Sequence, residues 1–193
     1  MYNEQQLQEI IRRRLSPSRF KHSLEVARVA RELAEIFGVE VDKAYITGLL
    51  HDYAKGLSGA ELLTAAEKGK LTQHDMDYQI PDLLHAPVGA WLLQQELGID
   101  DQEILRAVAV HTTGDLNMSQ LEEIIYLADM IEPGRDYPGQ DRLKCLAYRD
   151  LNQAMLFGLE TTLRYCLDQG RLIHPRTVEV RNAYLKRGDG TYI

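Results

Sequence analysis

Two stretches of the chain place a histidine beside an aspartate, GLLHDYAKG at 48–56 and LTQHDMDYQ at 71–79. Imidazole and carboxylate both ligate first-row metal ions, but the dipeptide also arises by chance, so its surroundings must separate the two cases. His74-Asp75 lies in KGKLTQHDMDYQIPD, a polar segment with no apolar stripe to carry it inward, and reads as a solvated loop. His51 follows Ala44 and Gly48 along one helical stripe that continues to Lys55, with Asp52 at its side. Residues three or four apart on a helix share a face, and the small residues suggest that another helix approaches closely there.

Other polar residues continue apolar faces in the same way. The stripe Val26, Val29/Ala30, Leu33 and Phe37 runs back through His22 to Arg19. Ile104 and Ala107/Val108 lead to His111, and Leu121, Ile125 and Ala128 lead to Asp129 and Glu132. His85 stands at the mouth of another helix, just before Pro87. One inward histidine is ordinarily a hydrogen-bonded core residue. Several histidines and carboxylates converging on one core need a hydrogen-bond network or a cation, and burying that many ionisable groups without a cation is costly. A metal is the better reading, and His51-Asp52 marks its site.

The elements that must position these residues are helical nearly throughout. No sustained period-two alternation is present, so an all-α fold is expected. Ser16-Pro17 caps a helix that stops at Gly38, and others are expected over 42–55, from Ser58 to near Gly69, from Pro87 to Gly98, and from Asp100 to about Thr112. Ser119 with Glu122 forms a capping box opening a helix to Ile131. Helices at about 141–149, 150–169 and 174–187 follow, with 69–82 a loop or frayed short helix and GDGTYI a loose end. The N-terminal MYNEQQLQEIIRRRL is charged and amphipathic, with no secretory h-region.

The 193 residues fit one domain, 1–193, with a core over about 16–132 and C-terminal helices over 141–187. A net charge of −7 argues against a nucleic-acid partner, and no run approaches a membrane span. Cys145 and Cys166 are the only cysteines; they read as packing residues of a cytoplasmic protein.

The ordered set His22, His51-Asp52, His85, His111 and Asp129 resembles the H…HD…H…H…D pattern of binuclear members of the HD superfamily of metal-dependent phosphohydrolases. The blocks SRFKHSLEVARVA, AYITGLLHDYAKGLS, LLHAPVGAWLL, AVAVHTTG and LADMIEPGRDYPG, spanning roughly 18–140, resemble the YqeK family of symmetrical diadenosine tetraphosphatases. The resemblance implies an HD-domain helical bundle. It also implies two divalent metal ions, iron by preference, with manganese, cobalt, nickel and zinc compatible with the same donors. One ion would take His22, His51, Asp52 and Asp129, the other His85 and His111, with Asp52 bridging. By the same resemblance, water activated between such paired ions would be the nucleophile, and the substrate would be cut into two ADP.

Phosphoryl transfer also needs cations around the phosphate oxygens. Lys55, one turn after His51, and Arg19, one turn before His22, align with the ligands, although charges at helix ends are often only solvated. Arg135, on the rigid EPGRDYP loop, is a further candidate, with Thr112 and His174 weaker ones. Asp52 and Lys55 are the expected catalytic residues. The expected partner is a small nucleotide, with no nucleic acid or membrane, and a homodimer is an assembly the sequence allows. The alternatives left open are another HD phosphohydrolase acting on mononucleotides or a cyclic dinucleotide, a di-iron oxygenase, and a non-catalytic nucleotide-sensing module.

Overall fold

Side-chain capping starts most of the helices. In the computed structural model, which describes residues 2–187, α1 (Glu4–Arg14) opens with a capping box between Asn3 and Gln6. The N-terminal segment, read only as amphipathic, is thus a helix, with Leu7 and Ile11 buried. Ser16 accepts from the Arg19 N–H and Pro17 takes the first position of α2 (Pro17–Phe37), which ends at Gly38 with φ 71°. Such a left-handed terminus favours glycine. Capping boxes Ser58/Glu61 and Ser119/Glu122 open α4 (Gly59–Gly69) and α8 (Gln120–Ile131). The expected tail at 188–193 lies outside the described residues.

Three boundaries differ from expectation. The helix expected over 42–55 is α3 (Val41–Leu50), and His51–Gly56 form tight turns. The reason is local: the His51 ring donates through Nδ1 to the Gly48 carbonyl at 2.7 Å. That is the carbonyl the Asp52 N–H would take in a continuing helix, so the chain tightens to Tyr53 N–H on Leu50 O and Lys55 N–H on Asp52 O. After a short α5 (Met76–Gln79) and a 3-10 turn over Pro81–Leu84, α6 (His85–Leu97) begins two residues before Pro87. Proline is tolerated there because first-turn N–H groups have no intrahelical acceptor. Asp101, not Asp100, caps α7 (Gln102–Val110), accepting from Glu103 N and Ile104 N. The chain then runs through α9 (Gln140–Ala147), α10 (Leu151–Asp168) and α11 (Pro175–Arg187). Cys145 is exposed and Cys166 partly so, which corrects the packing reading; Cys145 lies between the inward residues Leu143 and Ala147, on the opposite face of α9.

The main core joins Val26, Ala30 and Leu33 of α2 to Ile124, Leu127 and Ile131 of α8 and to Met155 and Leu159 of α10. A second cluster seats Leu7 and Ile11 against Leu49, Leu50 and Tyr53, and a third joins Ala54 to Leu62 and Val88. No helix among the described residues is long and apolar enough to cross a membrane.

The closest approach that matters for the site is between α2 and α3. A Cβ built on Gly48 would stand 2.9 Å from Ala27 Cα and 3.1 Å from its nitrogen, so backbone meets backbone there. Gly48→Ala is therefore expected to destabilise the protein by about 1–3 kcal/mol through overpacking, lowering Tm by about 2–4 °C per kcal/mol. Thermal unfolding checks this, and a Tm equal to the parent's would contradict it.

Candidate metal centre

Five elements meet at the site through their ends. His22 comes from the first turns of α2, His51 and Asp52 from the turn after α3, His85 from the start of α6, His111 from the end of α7, and Asp129 from the last turn of α8. Each histidine uses Nδ1 for support. His51 and His111 bond the carbonyls of Gly48 and Val108, both at 2.7 Å, and His85 bonds that of Asp82. His22 Nδ1 instead meets Glu132 Oε1 at 3.1 Å. A histidine anchored at one nitrogen presents the other in a defined tautomer and direction, the arrangement metal ligands use.

All four Nε2 atoms turn toward two carboxylates. Asp52 Oδ1 lies 3.2 Å from His85 Nε2 and 3.8 Å from His111 Nε2. Asp52 Oδ2 lies 3.6 Å from His51 Nε2 and 3.9 Å from His22 Nε2. Asp129 Oδ1 lies 3.0 Å from His22 Nε2 and 3.9 Å from His51 Nε2. The ligand atoms of His22, His51 and Asp129 fall within 4.8 Å of one another, as do those of His51, Asp52 and His111. His22 Nε2 and His51 Nε2 are buried without an aligned hydrogen-bond partner. Buried polar atoms are normally satisfied, and a cation shared with the carboxylates would satisfy these. The donor set, imidazole plus carboxylate, suits first-row divalent ions.

Most charge states agree with this; at His22, burial lowers the pKa but the Asp129 and Glu132 carboxylates outweigh it and raise it. Burial pushes His51 down, and pushes His111 down to about 3 with help from His51 and His85, so both stay neutral and able to ligate. Burial alone would raise Asp52, yet the histidines around it, His51 first, hold it well below the usual carboxylate range. Asp129 is likewise held low against its burial by His22, His51 and Arg135.

The site opens into a cleft of about 380 Å³ whose lining includes Arg19, Lys55, Thr112 and Arg135, four of the expected substrate contacts. Arg19 Nη1 donates to Asp52 Oδ2 at 3.2 Å, and Arg135 bonds the Asp129 carboxylate and, through Nε at 2.8 Å, its backbone carbonyl. Lys55 lies beyond the end of α3 rather than on it, with Nζ 3.1 Å from His85 Nδ1; burial lowers its pKa. His174 is elsewhere. It lines a neighbouring pocket, its Nε2 3.2 Å from Asp77 Oδ1 while Nδ1 accepts from Arg176 N–H at 3.1 Å, tying the 71–80 segment to the start of α11. Exposed His74, of the second His-Asp pair, lies in that pocket too, with its ring centroid 5.5 Å from that of His174.

The supporting role of Glu132 was not legible beforehand, although its position three residues after Asp129 on the same face was a signal. Its buried carboxylate takes His22 Nδ1 on one oxygen and the Gly134 N–H on the other. Carboxylates that orient a ligating histidine in this way are worth roughly 10–100-fold in metal affinity. Glu132→Gln is expected to weaken divalent-ion binding by about that factor while leaving the fold intact, as read by metal titration alongside circular dichroism. Unaltered affinity would mean that His22 needs no such support.

Comparison with known proteins agrees with this geometry. The HD domain family matches residues 19–134, which contain all six of the residues just described. The symmetrical bis(5'-nucleosyl)-tetraphosphatase of Halalkalibacterium halodurans is 38% identical over 92% of this chain and 94% of its own length. Those of Bacillus subtilis and Staphylococcus aureus are 38% and 31% identical over 91% and 94% of this chain, and 94% of each relative. A crystal structure of a predicted HD superfamily hydrolase involved in NAD metabolism from Clostridium acetobutylicum superposes with a TM-score of 0.93 at 39% identity, covering 97% of this chain and 99% of the other. With the ligand pattern, the helical frame and the full-length likeness in agreement, the chain belongs to the HD-domain family, in the branch formed by the symmetrical bis(5'-nucleosyl)-tetraphosphatases.

Proposed function

We propose that this protein hydrolyses diadenosine tetraphosphate between its two central phosphates, releasing two ADP, and does so in the cytoplasm. The observation that carries the reading is the disposition of Asp52. Buried to 3% exposure, it turns one oxygen toward His85 and His111 and the other toward His51 and His22. A carboxylate so placed is suited to bridge two cations, one held by His22, His51 and Asp129, the other by His85 and His111. When bound, two divalent ions, iron being the preferred identity, would supply Lewis acidity to a phosphate oxygen and bring the ionisation of water toward neutral pH.

The chain's own residues supply binding and charge. Arg19 and Arg135 each hold a site carboxylate with part of the guanidinium, and the remaining N–H groups of the fork are available to phosphate oxygens. Lys55, with its Nζ against the His85 ring in the cleft lining, offers a third positive charge. A polyphosphate bridge is the substrate class that uses several cations beside one attack point. Attack of water on a central phosphorus forms one P–O bond, breaks the bond to the bridging oxygen and expels ADP; the two protons of the water pass to the new terminal phosphates or to solvent.

Protein purified anaerobically with iron or manganese, given diadenosine tetraphosphate in isotopically labelled water, is expected to yield two ADP, one carrying a single labelled oxygen. AMP and ATP as primary products would refute the symmetrical cut. Elemental analysis is expected to find two ions per chain, and His85→Ala/His111→Ala to retain one. Two ions in the double variant would remove these histidines from the ligand set.

A further inference from the structure

The cleft over Asp52 is charged on its floor, but one side of it is not. Met130 and buried Tyr126 of α8, Thr162 and Tyr165 of α10, and Leu83 of the 3-10 turn also line it. Tyr165 is 49% exposed, a large aromatic surface left in water at the edge of the cleft. It is also held in place. The end of α10 closes as a Schellman turn: Gly170 adopts φ 59° with its N–H on Leu167 O at 3.2 Å, and the Arg171 N–H returns to Cys166 O at 2.8 Å. This turn sets the Arg171 guanidinium over the Tyr165 ring, 5.1 Å from its centroid.

We propose that Tyr165, braced by Arg171, is the stacking surface for the purine base of the substrate half bound over the metals. This rests on the dinucleotide reading and gives the C-terminal helix α10 a role in specificity. The chemistry follows from the two parts of the ligand. Arg19, Lys55 and Arg135 match its phosphates but offer a purine no flat apolar face. Tyr165 is the exposed aromatic of the lining, Tyr126 being only 2% exposed. Stacking on an aromatic ring holds any purine and leaves the phosphates to fix the register.

The test uses full-length, metal-loaded protein and compares ADP with inorganic pyrophosphate by calorimetric titration. Tyr165→Ala is expected to weaken ADP about tenfold and pyrophosphate less than twofold, and Tyr165→Phe to restore ADP binding. In turnover of diadenosine tetraphosphate, the alanine variant is expected to raise KM about tenfold, more than any fall in kcat. Metal content and melting temperature, measured on the same samples, should match the parent because Tyr165 is outside the core. Equal weakening of ADP and pyrophosphate, or no weakening of either, overturns the assignment. Failure of the parent to cut diadenosine tetraphosphate would refute the activity instead, and the ADP-to-pyrophosphate ratio still decides Tyr165.

Discussion

The structure depends on keeping one carboxylate, that of Asp52, charged in a place where water cannot solvate it. An isolated ionised carboxylate in an apolar interior is unstable by a wide margin, and a buried charge persists only with partners. Here Arg19 supplies one such partner at the open side, and the four imidazoles drawn from α2, the α3 turn, α6 and α7 are placed to hold a cation beside the carboxylate. Displacing any of those elements would strip Asp52 of one of these neighbours. The same demand explains why both buried nitrogens lacking an aligned partner, His22 Nε2 and His51 Nε2, face the carboxylates.

Backbone geometry is subordinated to that demand. His51 and His111 each take a carbonyl three residues back, and at each of them the helix gives way to a turn. Ending a helix leaves carbonyls that need other donors, and a ligand's own Nδ1 is one. The site is thus assembled at helix ends, where chain direction changes and side chains from different helices can converge. The apolar clusters behind these ends fix the helices themselves, so the polar atoms inherit their positions from packing they take no part in.

On the open side, the balance shifts from burying charge to presenting it. Arg19 and Arg135 offset the carboxylates they touch while facing the cleft, so the same guanidinium groups serve the site's stability and its affinity for anions. Elsewhere in the lining, α8 and α10 contribute less polar side chains. A lining that carries both cations and an exposed aromatic matches a ligand that is itself part phosphate and part base.

By itself, the sequence determined the helical class, most helix starts and the inward direction of His22, His51, His111 and Asp129. These are properties of one element at a time: a serine or aspartate satisfies N–H groups two or three residues away, and a 3.6-residue period tells which side chains share a face. Even the close approach at Gly48 was legible, since small residues one turn apart leave room for a backbone. What only the tertiary structure decided is which atoms meet. Periodicity says that Asp129 points inward; it does not say that Arg135 folds back onto it, or that Glu132 reaches 3.1 Å from a histidine 110 residues earlier in the chain. It did not place the end of α3, because a side-chain hydrogen bond, absent from any helix-propensity rule, took the carbonyl. Nor did it separate His174, drawn away by Asp77, from Tyr165 at the rim, because both lie on C-terminal elements whose relation to the cleft is set by packing against α8 and the 71–80 segment. Patterns along a chain report faces, and distances between faces exist only once the helices are packed.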